Sequence, residues 1–343
     1  MMSRILATVL LVGSASCRPE PSTAHDAEPQ PSATAAASAS APDANAPVAK
    51  TSRFTFYSRL SFNLDDRLRR WAVDGVKDGA RCIDAAPADE RKGWLDAAKH
   101  FEAFRDKTSM APLRARFALV DPKLDFEGRL GDVPDWFFPA LASAEPAYKR
   151  CLWQEDDARN RKWIAAVLPL LEKAEGRIAE RIAAVHGEKW EGPIPIDVVS
   201  WSNEDGAHTV NPAHTEVGST HAANQGYAAL EIVFHEASHT MINPRSGASI
   251  VALQREADAT GVTLPRDLWH AVLFVTAGEI TRGALRESFG VEYQQYIYTN
   301  GLFAKAWPEL EGPVERYWLP YVRGETKMDE AVKGLVAAFA VRK

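Results

Sequence analysis

The chain has 343 residues and a formal net charge of −6, from 40 Lys and Arg against 46 Asp and Glu. Basic and acidic residues are interspersed without a basic block, which argues against nucleic-acid binding. The length suits one large domain or two closely packed ones.

The N-terminus has the pattern of an export signal. Arg4 precedes an apolar stretch over 5–13 and small residues up to Ser16, which predicts a signal peptide over residues 1–16. Cys17 follows directly, and this arrangement is similar to the lipobox of bacterial lipoproteins, in which the cysteine is acylated. The resemblance implies a lipid anchor at Cys17 that holds the protein at the cell envelope, facing the periplasm or the exterior. An ordinary cleaved signal is the alternative.

Residues 17–51 are rich in Ala, Ser and Pro and contain almost no large apolar side chains. A segment of this composition cannot bury enough surface to fold, so we predict a disordered tether. The folded body then comprises an N-terminal helical region over 52–190 and a second region over 191–343.

Helical periodicity dominates the N-terminal region after a short strand or extended segment over 54–62. Apolar residues at helical spacing predict helices over 63–78 and 87–107, and a longer helix over 156–186. Pro169 lies inside the long helix and should kink or divide it.

Cys82 and Cys151 remain as a pair once Cys17 carries the lipid. In an oxidising compartment such a pair can form a disulfide, which would join two parts of the helical region. Two separate buried thiols are the alternative. Neither cysteine has a C-x-x-C or zinc-ribbon spacing, which argues against a cysteine metal site.

The character of the chain changes near residue 193. Strand-forming residues predict one strand over 193–201 and two shorter ones over 207–210 and 213–217. Strands directly before a helix can supply an exposed edge for an extended peptide. Because the residues after 248 are again mainly helical in pattern, the sequence predicts an α+β fold that is predominantly helical.

Residues 235–239 have the sequence H-E-A-S-H and follow an apolar run. On a helix, positions i and i+4 share one face, so His235 and His239 can bind one metal ion. Glu236 is rotated by roughly 100° from His235, which suits a general base rather than a ligand. Two imidazoles and a carboxylate with an open position favour Zn²⁺. A buried helix whose histidines only satisfy hydrogen bonds is the alternative.

A catalytic zinc commonly has three protein ligands, and no third histidine follows His239 in an H-x-x-G-x-x-H arrangement. The segment 267–279 is apolar nearly all round, and a buried carboxylate without a charge partner is unfavourable. We therefore predict Glu279 as the third ligand, with Gly278 permitting close approach to the metal-binding helix. Glu256 is the alternative ligand.

Glu279 has another possible partner, because Arg282 or Arg286 can form a salt bridge with it. His270 lies nine residues before Glu279, about two and a half helical turns away, on the opposite face. One helix cannot easily offer both side chains to one metal. His270 is therefore interpreted as a hydrogen-bonded histidine of the core or cleft, with substrate binding as the alternative.

His235, Glu236 and His239, together with a later glutamate, resemble the gluzincin branch of the zincin-type metallopeptidases. The resemblance covers roughly residues 193–286, and the motif also looks like that of uncharacterised bacterial exported proteins. It implies a zincin-like catalytic core after the small sheet. It also implies that Glu236 takes a proton from the attacking water and passes it to the leaving amine.

The same mechanism needs a hydrogen-bond donor that stabilises the oxyanion. Tyr298 is the candidate, and Tyr227, His214 and His270 are its rivals. A packing role with a solvated hydroxyl is the simpler interpretation of Tyr298.

The leading hypothesis is a membrane-anchored zinc metallopeptidase whose substrate is a protein, a peptide or a peptidoglycan peptide. A non-catalytic zincin-like envelope lipoprotein with a binding or structural role is the second hypothesis. Intact Glu236 favours the enzyme, because a protein that only binds has no need of the base. A helical lipoprotein with an accidental motif is the third.

Overall fold

The computed structural model describes residues 46–72, 75–104, 135–210 and 214–340. The predicted signal peptide, Cys17 and most of the predicted tether lie outside these residues. The described residues belong to one compact unit.

The fold is α+β and mostly helical, with a small mixed sheet. The strands are β1 (Ala49–Lys50), β2 (Phe54–Tyr57), β3 (Ile194–Val199), β4 (Ala207–Val210) and β5 (His214–Gly218). The α-helices of the described residues are α1 (Leu60–Ala72), α2 (Ala80–Ala85), α3 (Ala88–Phe104), α4 (Phe137–Tyr148), α5 (Gln154–His186), α6 (Tyr227–Ser238), α7 (Ala248–Thr260), α8 (Leu268–Phe289), α9 (Tyr296–Thr299), α10 (Leu302–Ala306), α11 (Glu311–Pro313), α12 (Leu319–Val322) and α13 (Met328–Ala338). π-Helical turns span Lys149–Trp153 and Val314–Trp318, and a 3₁₀ turn spans Ala222–Asn224.

Helix α5 continues through Pro169 without division. The proline removes one backbone donor from the helix, while apolar side chains on both sides of it, such as Val167 and Leu171, are buried in the core. Tertiary packing therefore holds together a helix that the sequence pattern would allow to divide.

The sheet has the order β1-β2-β3-β5-β4. Strands β2 and β3 are parallel, as are β3 and β5, whereas the two outer pairs are antiparallel. Phe54 of β2 is in register with Ile194 of β3, so the predicted regions 52–190 and 191–343 share one sheet. Strand β1 lies inside the predicted tether, because pairing with β2 uses backbone groups and needs no large apolar side chain.

The described core consists of two clusters. The larger cluster joins the sheet to α5, α6, α8 and the C-terminal helices. The smaller one is formed by α1–α4 and the π-helical turn that follows, around Trp94 and Tyr148. Cys82 and Cys151 are joined by a disulfide with a Cα–Cα distance of 5.6 Å, and Cys151 packs against this smaller cluster.

Helix α6 occupies the centre of the larger cluster. Every residue from Ala229 to Ser238 is buried, because the sheet, α5 and α8 all contact this helix. A helix enclosed in this way usually carries apolar side chains on all faces. Its few polar side chains therefore require partners from the surrounding elements.

Candidate metal centre

Three histidines converge from two helices. His235 lies in α6, His239 is the C-cap of that helix, and His270 lies in the first turn of α8. The Nε2 atom of His235 is 3.3 Å from Nε2 of His239 and 3.2 Å from Nε2 of His270. Metal–nitrogen bonds of 2.0–2.1 Å in tetrahedral geometry place two nitrogens about 3.3–3.4 Å apart. The three imidazoles therefore have the spacing of ligands around one metal ion, and they form a possible metal site.

Aromatic rings hold the three imidazoles. The ring of Phe274 stacks on His235 with a centroid distance of 3.6 Å. Trp269 stacks on His270 at 5.0 Å and lies edge-on to His239 at 5.6 Å. Rings that pack in this way restrict the imidazole rotamers, so the nitrogens are oriented before any ligand binds.

All three imidazoles are neutral near pH 7. Burial lowers the pKa of His239 to about 3 and that of His270 to about 4. Burial also lowers the pKa of His235 well below its ordinary value, and the neighbouring histidines add to this effect. The neutral imidazole is the form that ligates a metal, so no proton has to be removed at neutral pH.

Glu236 lies beside the histidines on the same helix. Its Oε2 atom is 2.8 Å from Oγ1 of Thr209 in β4. Burial raises the pKa of Glu236 to about 8, the Thr209 hydroxyl opposes this effect, and the negative charge of Asp205 adds to it. A carboxyl group with a pKa close to neutral suits proton transfer.

The structure corrects the prediction of Glu279 as a metal ligand. Its carboxylate accepts hydrogen bonds from Nε of Arg282 and Nε of Arg323, both at 2.9 Å, and from Nε2 of Gln295 at 2.7 Å. Two guanidinium groups therefore compensate the buried negative charge of Glu279, for which the sequence predicts a zinc ion as the partner. Helix α8 brings His270, and not Glu279, to the histidine cluster, where it could hold a metal ion together with His235 and His239.

Other sequence candidates lie away from the histidine cluster. Glu256 is on α7 and His214 is in β5, where its Nε2 is 2.8 Å from Asp197. Tyr227 begins α6, and its ring contacts Phe289. None of the three predicted side chains is among the described residues that surround the cavity at the cluster.

Tyr298 is also outside the cavity, since its hydroxyl donates to Glu315 at 2.8 Å. Tyr296, two residues earlier, does line the cavity, and its hydroxyl donates to the backbone oxygen of Asp205 at 3.1 Å. The sequence Y-I-Y offers both phenols at one short helix. Only the packing of α9 against α6 and α8 selects between them.

Two buried carboxylates fix the position of Tyr296, one through its backbone N–H and one through the neighbouring Gln295. Glu231 of α6 accepts the backbone N–H of Tyr296 at 2.9 Å, and Glu279 of α8 accepts the side chain of Gln295. A Cβ atom at Gly278 would lie 2.8 Å from Oε1 of Glu231, which confirms that the glycine permits close approach of α8 to α6. The two helices that carry the histidines thus also carry the two carboxylates that hold Gln295 and Tyr296.

A cavity of about 430 Å³ opens onto the histidine cluster. Its wall comprises parts of the segment 203–209, α6, the first turns of α8 and the segment 296–307. Among the described strands, β4 pairs with β5 alone and forms an edge of the sheet. The free edge of a strand and a three-nitrogen cluster therefore border one cavity.

Neither a known family model, nor a curated protein, nor a solved structure matches this chain. Within the described ranges, no helix combines the length and the apolar character of a membrane span. The described structure provides the helical α+β fold and the three-histidine cluster.

Proposed function

We propose that the protein is a zinc-dependent hydrolase of peptide bonds, anchored at the cell envelope through Cys17. The observation that carries the proposal is the convergence of three Nε2 atoms, at 3.2 and 3.3 Å from the central one, beside a buried carboxylate. A purely structural histidine cluster has no need of the adjoining Glu236. The anchoring rests on the export pattern of the N-terminus.

The donor set favours zinc among the common metals. Neutral imidazole suits Zn²⁺, and three protein ligands with an open fourth position are the usual arrangement of catalytic zinc. Bound at this site, zinc would supply a Lewis acid that lowers the pKa of a water molecule and polarises a carbonyl group. His235, His239 and His270, which line the cavity, would hold the ion there.

The chain's own side chains perform the proton transfers in this proposal. Glu236 accepts a proton from the attacking water and returns it to the leaving amine. Thr209 holds one carboxylate oxygen of Glu236, which leaves the other oxygen for the water. Tyr296 is the phenol that borders the cavity. We assign to it the donation of a hydrogen bond to the developing oxyanion, for which its hydroxyl would turn away from the backbone oxygen of Asp205.

Strand β4 supports a peptide as the substrate. An extended chain can add to the free edge of a sheet through backbone hydrogen bonds. Because Thr209 of β4 contacts Glu236, a chain lying along this edge would pass close to the base. A protein, a peptide or a peptidoglycan peptide would satisfy this geometry.

Zinc content measured by elemental analysis tests the metal site. We expect about one zinc per chain in the wild type. His235→Ala and His270→Ala should lose the metal, whereas Glu279→Gln and the matched control Glu256→Gln should keep it. A wild-type protein without zinc, even after reconstitution, would exclude the proposal.

Hydrolysis of a diverse peptide mixture tests the reaction. Glu236→Gln should retain zinc and lose about 10²- to 10⁴-fold in rate, because the general base is removed. Zinc binding without hydrolysis in the wild type would instead indicate the non-catalytic lipoprotein.

A further inference from the structure

Large aromatic side chains line the cavity at the histidine cluster. They are Trp269, Phe274, Tyr296 and Trp307. Their rings contact one another, with centroid distances of 5.8 Å between Phe274 and Tyr296 and 6.3 Å between Phe274 and Trp307. Leu302 and Ala306 of α10 extend this apolar wall. A wall of this kind gains free energy by covering a large apolar side chain of a ligand.

The described side chains that line the cavity supply no permanent positive charge. Among the described residues that line it, Asp205 and Glu236 are acidic, and none is Lys or Arg. Apart from the proposed zinc, which the scissile carbonyl would engage, a terminal carboxylate bound in such a site would lack the cationic side chain that carboxylate recognition uses. The terminal carboxylate of a peptide is therefore disfavoured here.

The edge strand β4 would orient an extended ligand across the cavity. Its residues Ala207, His208 and Thr209 border the same cavity as the aromatic wall. A chain paired with β4 would extend past the cavity at both ends, at about 3.3 Å per residue. Alternate side chains of that chain would point toward the wall. The site thus fits the interior of a chain better than its end.

From these observations we infer that the cavity selects a large apolar side chain, with aromatic side chains preferred, in the interior of an extended peptide. The inference rests on the proposed function and gives it a substrate class, since it assigns the protein to the endopeptidases rather than the carboxypeptidases. Ala306 offers a way to test it, because this residue is exposed and lines the cavity. Ala304 lies on the same short helix, is exposed and is not part of the wall.

The test measures peptide binding by calorimetry to Glu236→Gln protein whose zinc content is determined in the same sample. The probes are acetylated and amidated pentapeptides, Ala-Ala-X-Ala-Ala with X as Phe or Glu, and the Phe peptide with a free C-terminus. We expect the amidated Phe peptide to bind about 10- to 100-fold more tightly than the Glu peptide. The free acid should bind more weakly than the amide.

Two variants of α10 test whether the preference for Phe arises at this cavity. The new side chain in Ala306→Trp would occupy the cavity beside the aromatic wall and should remove the preference for Phe. Ala304→Trp should preserve this preference. Equal affinities for Phe and Glu, tighter binding of the free acid, or no measurable binding would overturn the inference, as would equal effects of the two Trp variants. Zinc content and wild-type hydrolysis report separately on the proposed function, so the peptide preference can hold or fail independently of cleavage.

Discussion

At the residue scale, three buried glutamates near the two histidine-bearing helices are held in different ways. The carboxylate of Glu279 accepts hydrogen bonds from two guanidinium groups. That of Glu236 accepts one from a threonine hydroxyl, and that of Glu231 accepts one from the backbone N–H of Tyr296. Only Glu279 has full charge compensation by cations. The pKa of Glu279 is therefore lowered, despite its burial, whereas those of the other two are raised.

Replacement of Glu231 by Gln should change how stability depends on pH. Burial raises the pKa of Glu231 from 4.5 to about 7, so between these values the folded protein keeps a proton that the unfolded chain releases. Stability falls as pH rises through this window, by about 3 kcal/mol in all. Gln keeps the acceptor for Tyr296 and does not titrate.

Urea denaturation of the metal-free proteins from pH 4 to pH 8 measures this effect. The free energy of unfolding of Glu231→Gln, relative to wild type, should increase between pH 4.5 and 7 and then level off. A difference that stays constant with pH would contradict the assignment of a raised pKa to Glu231.

At the scale of elements, the spacing of residues identifies α6 but not the face of α8 that meets it. His235 and His239 are one turn apart, so their convergence follows from helix geometry alone. His270 and Glu279 lie on opposite faces of an apolar helix, and every residue between them is buried. The choice between them depends on Arg323, which lies 44 residues after Glu279. Local periodicity cannot predict such a partner.

Helix α8 should tolerate an added methyl group at Gly283 but not at Gly278. At Gly278 the new Cβ would lie 2.8 Å from Glu231 Oε1 and 3.0 Å from Gln295, so α8 would have to move away from α6. We expect Gly278→Ala to lose about 1–3 kcal/mol of stability and to bind zinc more weakly, because His270 moves relative to His235.

Gly283→Ala is the matched control, since its nearest contact is Arg181 at 3.7 Å. This substitution should leave zinc affinity unchanged and add about 0.5–1 kcal/mol of helix stability. Chemical denaturation and competition with a zinc chelator measure both quantities. Similar zinc affinities in the two variants would show that the spacing of α6 and α8 does not control the site.

At the scale of the whole molecule, the chain is more interleaved than its composition predicts. The sequence pattern indicates the helical α+β class and the short strands before α6. It does not reveal that β2 pairs in parallel with β3, because 136 residues separate the ends Tyr57 and Ile194 (194 − 57 − 1) and strand pairing has no local signal. The predicted boundary at residue 190 therefore falls between elements of one structure.

Removal of the disulfide should weaken the molecule without changing the metal site. Cys82 and Cys151 are 69 positions apart, and closing a loop of this length in the unfolded chain is worth about 4 kcal/mol. The double variant Cys82→Ser/Cys151→Ser should lose that stability. Zinc affinity should be preserved, because the bond lies at the smaller core cluster and the histidines lie in the larger one.

Thermal and urea denaturation of the oxidised wild type and the double variant measure the loss. A variant that matches wild-type stability, or one that loses zinc at temperatures where it remains folded, would contradict this division of roles between the two clusters.

The position of the third histidine defines a pattern by which related chains can be recognised. His239 and His270 are separated by the thirty residues 240–269, a longer interval than a single-helix motif spans. Among related sequences, the three histidines should be retained or replaced as a set. Glu279 should instead covary with its guanidinium partners Arg282 and Arg323. A search that requires H-E-x-x-H and a glutamate would therefore discard relatives that a search for the distant histidine would find.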